Sequence, residues 1–380
     1  MKTLLFLCSY KAPYAGNFVS SLKALEKELS GRGITCVYSF DSGAVEREWY
    51  RTLENEGRTL EPFHFGAGKL REYSELKRIV KKYNADAVYA HFGAQSLTGI
   101  FAALNPKIKV FWHIHSDFSL GRKLPPAKRL MYFVNYRILS RFVSTAAVSE
   151  QLAEKIPGAV YIPNGLAADR APSSRSREQV RADIGVGGEE KLALMFAWSP
   201  EVKGLDIAAQ AVKSVRTDER VILAVVCGRE MNAERLSAWL SERTGISGNE
   251  DFLRFVPPVE NVFEYFEACD FFISASRSEG FPSSVLECLG AERTCVSSDI
   301  PAVTSWAGGV ESVYFFRSCD ADDCARAVKR ALSAPPGEEA LRAGAALVKE
   351  RYSVENWCKN VIAFLDNTTK QNNDSTFCLL

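Results

Sequence analysis

Short apolar runs alternate with helix-patterned segments along nearly the whole chain, and this alternation limits the fold more than any other feature. TLLFLCS, ITCVYSF, AVYAHF and KVFWHIH are too short for helices and too continuously apolar for half-exposed strands. They read as strands of a parallel sheet covered on both faces. Between them, residues 16–29 place Phe18, Leu22, Leu25 and Leu29 on one helical face. Further helices are predicted over 70–83, 96–104 and 126–142. The pattern restarts with KLALMFAW and continues through VILAVVCG, LRFVPP, DFFISAS and RTCVSSD, with helices at 206–215, 232–243 and 262–268 and another from Ser283. At 380 residues the chain suits two cores rather than one. The expected class is α/β: two Rossmann-like, doubly wound domains facing a cleft, with ligands at the carboxyl ends of the strands. The Arg/Ser-rich stretch 167–177 marks the linker. The boundaries are 1–167 for the first domain, 168–350 for the second, 351–369 for a closing helix and 370–380 for a disordered tail.

Composition excludes several classes. A net charge of +1 argues against a general nucleic-acid binder. Ten scattered cysteines with no CxxC pair read as reduced core residues of a cytoplasmic protein. The opening run is better a buried strand than a signal peptide, because Tyr10 and Lys11 follow at once without a small-residue cleavage site. No stretch approaches the ~18 apolar residues of a membrane span. Asp320-Ala-Asp322 resembles a metal-binding DxD, but it precedes a polar helix, where Asp320 suits an N-cap.

Chemistry concentrates in SEGFPSSVLE. The strand before it runs into a loop with Glu279, Gly280, Phe281 and Pro282, and a helix starts at Ser283 or Ser284, with Glu287 on its first turns. A helix N-terminus offers amides to phosphate oxygens. Gly280 lets backbone approach a ligand, and two carboxylates accept bonds from sugar or ribose hydroxyls. Together they describe a nucleotide-sugar site. Lys203, after a strand and before a helix, supplies a cation. His91, His113 and His115 end strands of the first half. His113 and His115 share a strand face, which is two ligands and too few for a metal.

These residues resemble glycosyltransferase family 4. The pair of glutamates in EGFPSSVLE looks like that family's donor motif; VSEQL, YIPNGL, KGLDIAAQAV and FEACDFFISAS are similar to its flanking segments, so most of the chain is covered. The resemblance implies a GT-B fold and a retaining, metal-independent transfer of a sugar from a nucleotide-diphosphate donor. It implies that Glu287 holds ribose hydroxyls, that Glu279 lies beside the transferred sugar, and that Gly280, Phe281, Pro282, Ser283, Ser284 and Val285 line the sugar and diphosphate. It implies that Lys203 neutralises the leaving diphosphate, and that His115 sits beside the sugar. Gly16 would lie in the loop over the phosphates. His91, His113 and Asp117 would face the acceptor. The family has an arginine five or six residues before the lysine; this chain has Ala197 and Trp198 there, and Arg229 is the candidate replacement. The expected partners are a nucleotide sugar and a sugar or lipid-linked acceptor, with no nucleic acid and no metal. Lys123, Lys128, Arg129, Arg137 and Arg141, mixed with aromatics, suit contact with anionic lipid at the inner face of a membrane. Rival readings are a sugar-nucleotide epimerase of the same fold and a non-catalytic partner protein. Envelope polysaccharide synthesis is the expected setting.

Overall fold

The computed structural model describes residues 1–115, 125–167, 174–228, 231–259 and 261–371. It divides into two compact units: Met1–Ala167 with Val354–Leu380, and Ala168–Ser353. Among the described residues, twelve parallel strands form two sheets. The first holds β1 (Thr3–Cys8), β2 (Thr35–Phe40), β3 (Ala87–His91), β4 (Lys109–Ile114), β5 (Ser144–Ala147) and β6 (Val160–Tyr161), in the order β2-β1-β3-β4-β5-β6. The second holds β7 (Lys191–Phe196), β8 (Val221–Val226), β9 (Leu253–Val256), β10 (Phe271–Ser274), β11 (Thr294–Ser298) and β12 (Val313–Phe316), in the order β12-β11-β10-β7-β8-β9.

Each sheet therefore reverses direction once, between β1 and β3 in the first unit and between β7 and β10 in the second. Loops leaving the two strands at such a reversal diverge and leave a crevice at the carboxyl end. The strands read as continuous apolar runs because helices cover both faces. Leu4, Phe6 and Cys8 enter one core of the first unit, while Leu5 and Leu7 enter the other. The last helix, Val354–Gln371, returns to the first unit, where Trp357, Val361 and Leu365 pack against β1 and the Gly16–Ser30 helix.

Most predicted elements agree to within a residue or two. Several differ. The helices Glu48–Asn55, Glu150–Lys155, Arg177–Asp183 and Pro301–Ala307 and the strand β12 were not anticipated. The single helix expected over 126–142 is broken into an α-helix Pro126–Phe133, a π-turn Val134–Ile138 and a 3-10 turn Leu139–Phe142. Among described residues the cysteines are free, and all but Cys319 are buried. No described helix is long and apolar enough to cross a membrane.

Asp320 caps the Ala321–Ser333 helix, accepting from the Asp323 amide at 2.8 Å. Its neighbour Asp323 accepts from the Arg317 amide at 2.6 Å. Asp320, the first carboxylate of the DxD pattern, is thus engaged in helix entry. Replacing Asp320 with Ala should cost about 1 kcal/mol and lower the melting temperature by about 2–4 °C. Added Mg²⁺ or Mn²⁺ should leave the melting of both forms unchanged; a cation-dependent gain confined to the parent protein would contradict the capping role.

Candidate functional site

The second unit's reversal point carries Lys203 after β7 and Glu279 after β10. Lys203 ends a four-residue helix, Pro200–Lys203, and Gly204 joins it to the helix Leu205–Val215 in a left-handed conformation (φ 68°, ψ 41°). Only glycine fits there: a Cβ would lie 2.0 Å from the Ala275 carbonyl oxygen and 3.1 Å from its Cβ. The joint can thus press directly on the end of β10. Lys203 Nζ then donates to Glu279 Oε1 at 2.6 Å, with both side chains nearly buried. The Ser276 hydroxyl donates to the same oxygen at 2.7 Å.

A second clamp holds the loop. The Arg277 amide donates to Val202 O at 2.8 Å. Its guanidinium grips Asp206 through both carboxylate oxygens, at 2.9 and 2.6 Å, and Arg243 adds a bond at 2.8 Å. Burial pushes the Asp206 carboxyl up, and the bonds from Arg277 and Arg243 more than reverse this, holding it below the usual carboxylate range. Neither Asp206 nor Arg277 was singled out by sequence. The signal was an acidic residue three positions after Lys203, buried on an apolar helix face.

Phe281 is buried between Trp306 and Tyr352, with ring centroids 5.7 and 5.5 Å away. It anchors the turn from inside, while Gly280 and Pro282 are also buried. The helix Ser283–Gly290 starts without a side-chain cap. Ser283 N donates to Phe281 O and Val285 N to Pro282 O, both at 3.0 Å, so these two amides already have partners. The Val285 side chain lies in the core; Ser283, Ser284 and Glu287 are half-buried. Trp198 stands where the resemblance leads one to expect an arginine. It is 59% exposed, and Lys203 Nζ lies 5.2 Å from its ring centroid. Arg229 and Asp117 lie outside the described residues.

In the first unit the reversal point holds Ser9, Gly93 and three histidines. Gly16 opens its helix at φ 56°, with Tyr10 donating to Tyr14 O and Ala15 O beside it. His91 pairs in register with His113 across β3 and β4, which brings in the third histidine that spacing along one strand did not reveal. The ligand nitrogens of His91, His113 and His115 all lie within 4.8 Å of one another. The arrangement nonetheless suits a hydrogen-bonded stack better than a metal centre. His113 places Nδ1 on the Tyr89 hydroxyl at 2.7 Å and Nε2 on Ile162 O at 3.1 Å. Its ring lies flat on His115, with centroids 4.7 Å apart and 20° between planes. His91 Nδ1 and His115 Nε2 share one proton across 2.9 Å, and His91 Nε2 has no partner among the described residues.

Burial holds all three imidazoles below their ordinary titration range, His113 down to about 4. The neighbouring histidines add to the shift at His91 and His115. Only His115 is half-buried; it faces Phe92, whose ring lies 4.5 Å away and whose φ of 58° is rare for a residue with a side chain.

Comparison with known proteins follows the two units. A family model described as "Glycosyl transferases group 1" matches residues 176–371, and one described as "Glycosyltransferase Family 4" matches residues 19–170. A putative teichuronic acid biosynthesis glycosyltransferase, TuaC of Bacillus subtilis (strain 168), is 21% identical over 296 residues, covering 76% of this chain and 71% of that protein. HepE of Anabaena, solved with UDP and glucose, superposes with a TM-score of 0.75 at 16% identity, over 97% of this chain and 100% of that one. The sucrose-phosphate synthase of Thermosynechococcus elongatus gives 0.76 at 15% identity, over 98% and 100%.

Replacing Gly204 with Ala should force the joint away from Ala275. The left-handed backbone alone costs about 1–2 kcal/mol, and the overlap adds about 1–3 kcal/mol. A lower urea midpoint together with lost donor turnover is expected; unchanged turnover would show that the joint does not set the Lys203–Glu279 pair. The histidine stack makes a pH prediction. Below about pH 6.5 the unfolded chain takes up protons that the folded stack refuses, so stability falls with pH. The melting temperature should drop between about pH 6.5 and pH 4. His113→Leu should melt lower at neutral pH but lose less on acidification; parallel pH curves for the two forms would refute this.

Proposed function

The chain belongs to the group 1 glycosyl transferases, and from that premise we propose that it is a retaining enzyme moving a sugar from a nucleoside-diphosphate sugar to an acceptor hydroxyl. The observation that carries this reading is the Lys203–Glu279 pair at the reversal point of the second sheet, 2.6 Å apart and nearly buried. The pair offers a cation where a diphosphate gains charge and a carboxylate where sugar hydroxyls need an acceptor. Relatives solved with UDP and UDP-glucose support the donor class.

In this mechanism the diphosphate departs with its charge held by Lys203 and by the amides of Gly280, Phe281 and Ser284. The sugar passes through an oxocarbenium-like state, and the acceptor hydroxyl attacks the face the diphosphate leaves. Glu287 holds the ribose. Trp198, whose ring centroid lies 5.2 Å from Lys203 Nζ, supplies no charge, and Lys203 serves as the main electrostatic group. His115, neutral and half-buried, is the first unit's own candidate for contact with an acceptor. No step requires a metal. The setting is cell-envelope polysaccharide or glycoconjugate synthesis at the cytoplasmic face of a membrane; the teichuronic acid relative supports it.

A panel of nucleotide sugars, scored for nucleoside diphosphate release and followed by mass analysis of acceptors, tests this. Lys203→Ala should lower turnover by about 10²–10³-fold, with Glu279→Gln also impaired. Conversion of the donor sugar to its epimer without acceptor would make the protein an epimerase instead. Donor binding without turnover, insensitive to both substitutions, would make it a non-catalytic partner.

A further inference from the structure

The segment Pro126–Phe142 carries a surface that nothing in the described structure covers. Its helix, Pro126–Phe133, buries no residue at all. A helix this short has little stability of its own in water and normally forms by burying an apolar face. Here the apolar side chains point outward instead. Of the eleven large hydrophobic residues exposed in the described structure, five fall between Leu130 and Phe142: Leu130, Met131, Phe133, Ile138 and Phe142. Leu130 and Phe133 are 64% and 57% exposed. The helix Gln95–Leu104, on which the segment packs, adds exposed Ile100 and Leu104. Scattered exposed apolar residues need no explanation, but a cluster of this kind marks a contact surface.

Charge identifies the partner. Lys128, Arg129, Arg137 and Arg141 are all exposed in the same segment. No acidic residue occurs between Asp117 and Glu150. A second copy of the chain would set these like charges against one another, whereas an anionic lipid surface would take both the apolar and the basic groups. We infer that Pro126–Phe142 lies in the interface of an anionic bilayer, with its aliphatic and aromatic side chains among the acyl chains and its cations among the headgroups.

The segment has a second face. Tyr132, Asn135 and Tyr136 wall a cavity of about 150 Å³ whose opposite side is formed by Ser96, Phe92 and His115. Ser96 donates to Asn135 at 2.9 Å and fixes that wall. One short stretch of chain thus touches the bilayer on one side and the His115 cavity on the other. Aromatic rings and an amide suit a sugar ring, and the nearby membrane suits a sugar attached to lipid. The acceptor class is therefore a lipid-linked saccharide, drawn from the bilayer plane. This last step rests on the transferase reading; the membrane contact does not.

Sedimentation of the full chain with vesicles tests the inference. Binding to mixed phosphatidylglycerol–phosphatidylcholine vesicles is expected, with little binding to phosphatidylcholine alone and weakening at high salt. Lys128→Glu with Arg129→Glu should reduce the vesicle affinity at least about tenfold. Leu130→Ser with Phe133→Ser should abolish binding without lowering the melting temperature, because both side chains are exposed already. Equal binding to neutral and anionic vesicles, or none to either, would overturn the inference. So would self-association in ultracentrifugation that Phe133→Ser abolishes, since the surface would then belong to a second copy. Nucleotide release from the donor, measured without vesicles, separates the two readings: turnover without vesicle binding sinks only the membrane contact, and vesicle binding without turnover sinks only the transferase.

Discussion

The second unit depends on one contact that tolerates no side chain. Gly204 rests against the Ala275 carbonyl oxygen, where a Cβ would come within 2.0 Å. That contact joins the end of β7 to the end of β10 across the reversal of the sheet. Lys203 and Glu279, 76 residues apart in sequence, meet because the backbone joint beside them is this tight. The Arg277–Asp206–Arg243 network then fixes the loop from behind, with a carboxylate that stays ionised in a buried place because two guanidiniums hold it. The polar groups that would touch a ligand are few. The groups that place them are buried, paired and rigid.

The first unit uses a different device at its own reversal. Instead of an ion pair it packs neutral aromatic rings: His91, His113 and His115 among Phe18, Tyr89, Phe92 and Trp357. Desolvation keeps the imidazoles uncharged. His113, tied to Tyr89 and Ile162, acts as the spacer on which His115 lies. A neutral imidazole at the half-buried edge can donate or accept a hydrogen bond without carrying a charge into the site.

Much of this architecture was legible in the sequence because strands buried on both faces leave a continuous apolar record. The short helix at 262–268, the Asp320 cap and the strand–loop–helix around Glu279 could all be read from local residues. What escaped was non-local or irregular. VYFF in β12 is an edge strand with two half-buried residues, so its pattern is weak. The break after Phe133 leaves no glycine or proline inside the run to announce it. His91 joins His113 only through strand register, and the role of Gly204 appears only when Ala275 is beside it. Local patterning reports which residues are buried; it does not report which two loops meet.

The ion pair at the heart of the second unit also bears on discrimination. Lys203 is already engaged, so an anion that draws it away leaves Glu279 half-buried with only Ser276 for company. Sulfate brings charge for the lysine but no donor for the abandoned carboxylate. A ligand carrying hydroxyl groups next to its phosphates satisfies both residues at once. The resting pair thus sets a two-part condition: a ligand that displaces it without loss answers both the lysine and the carboxylate.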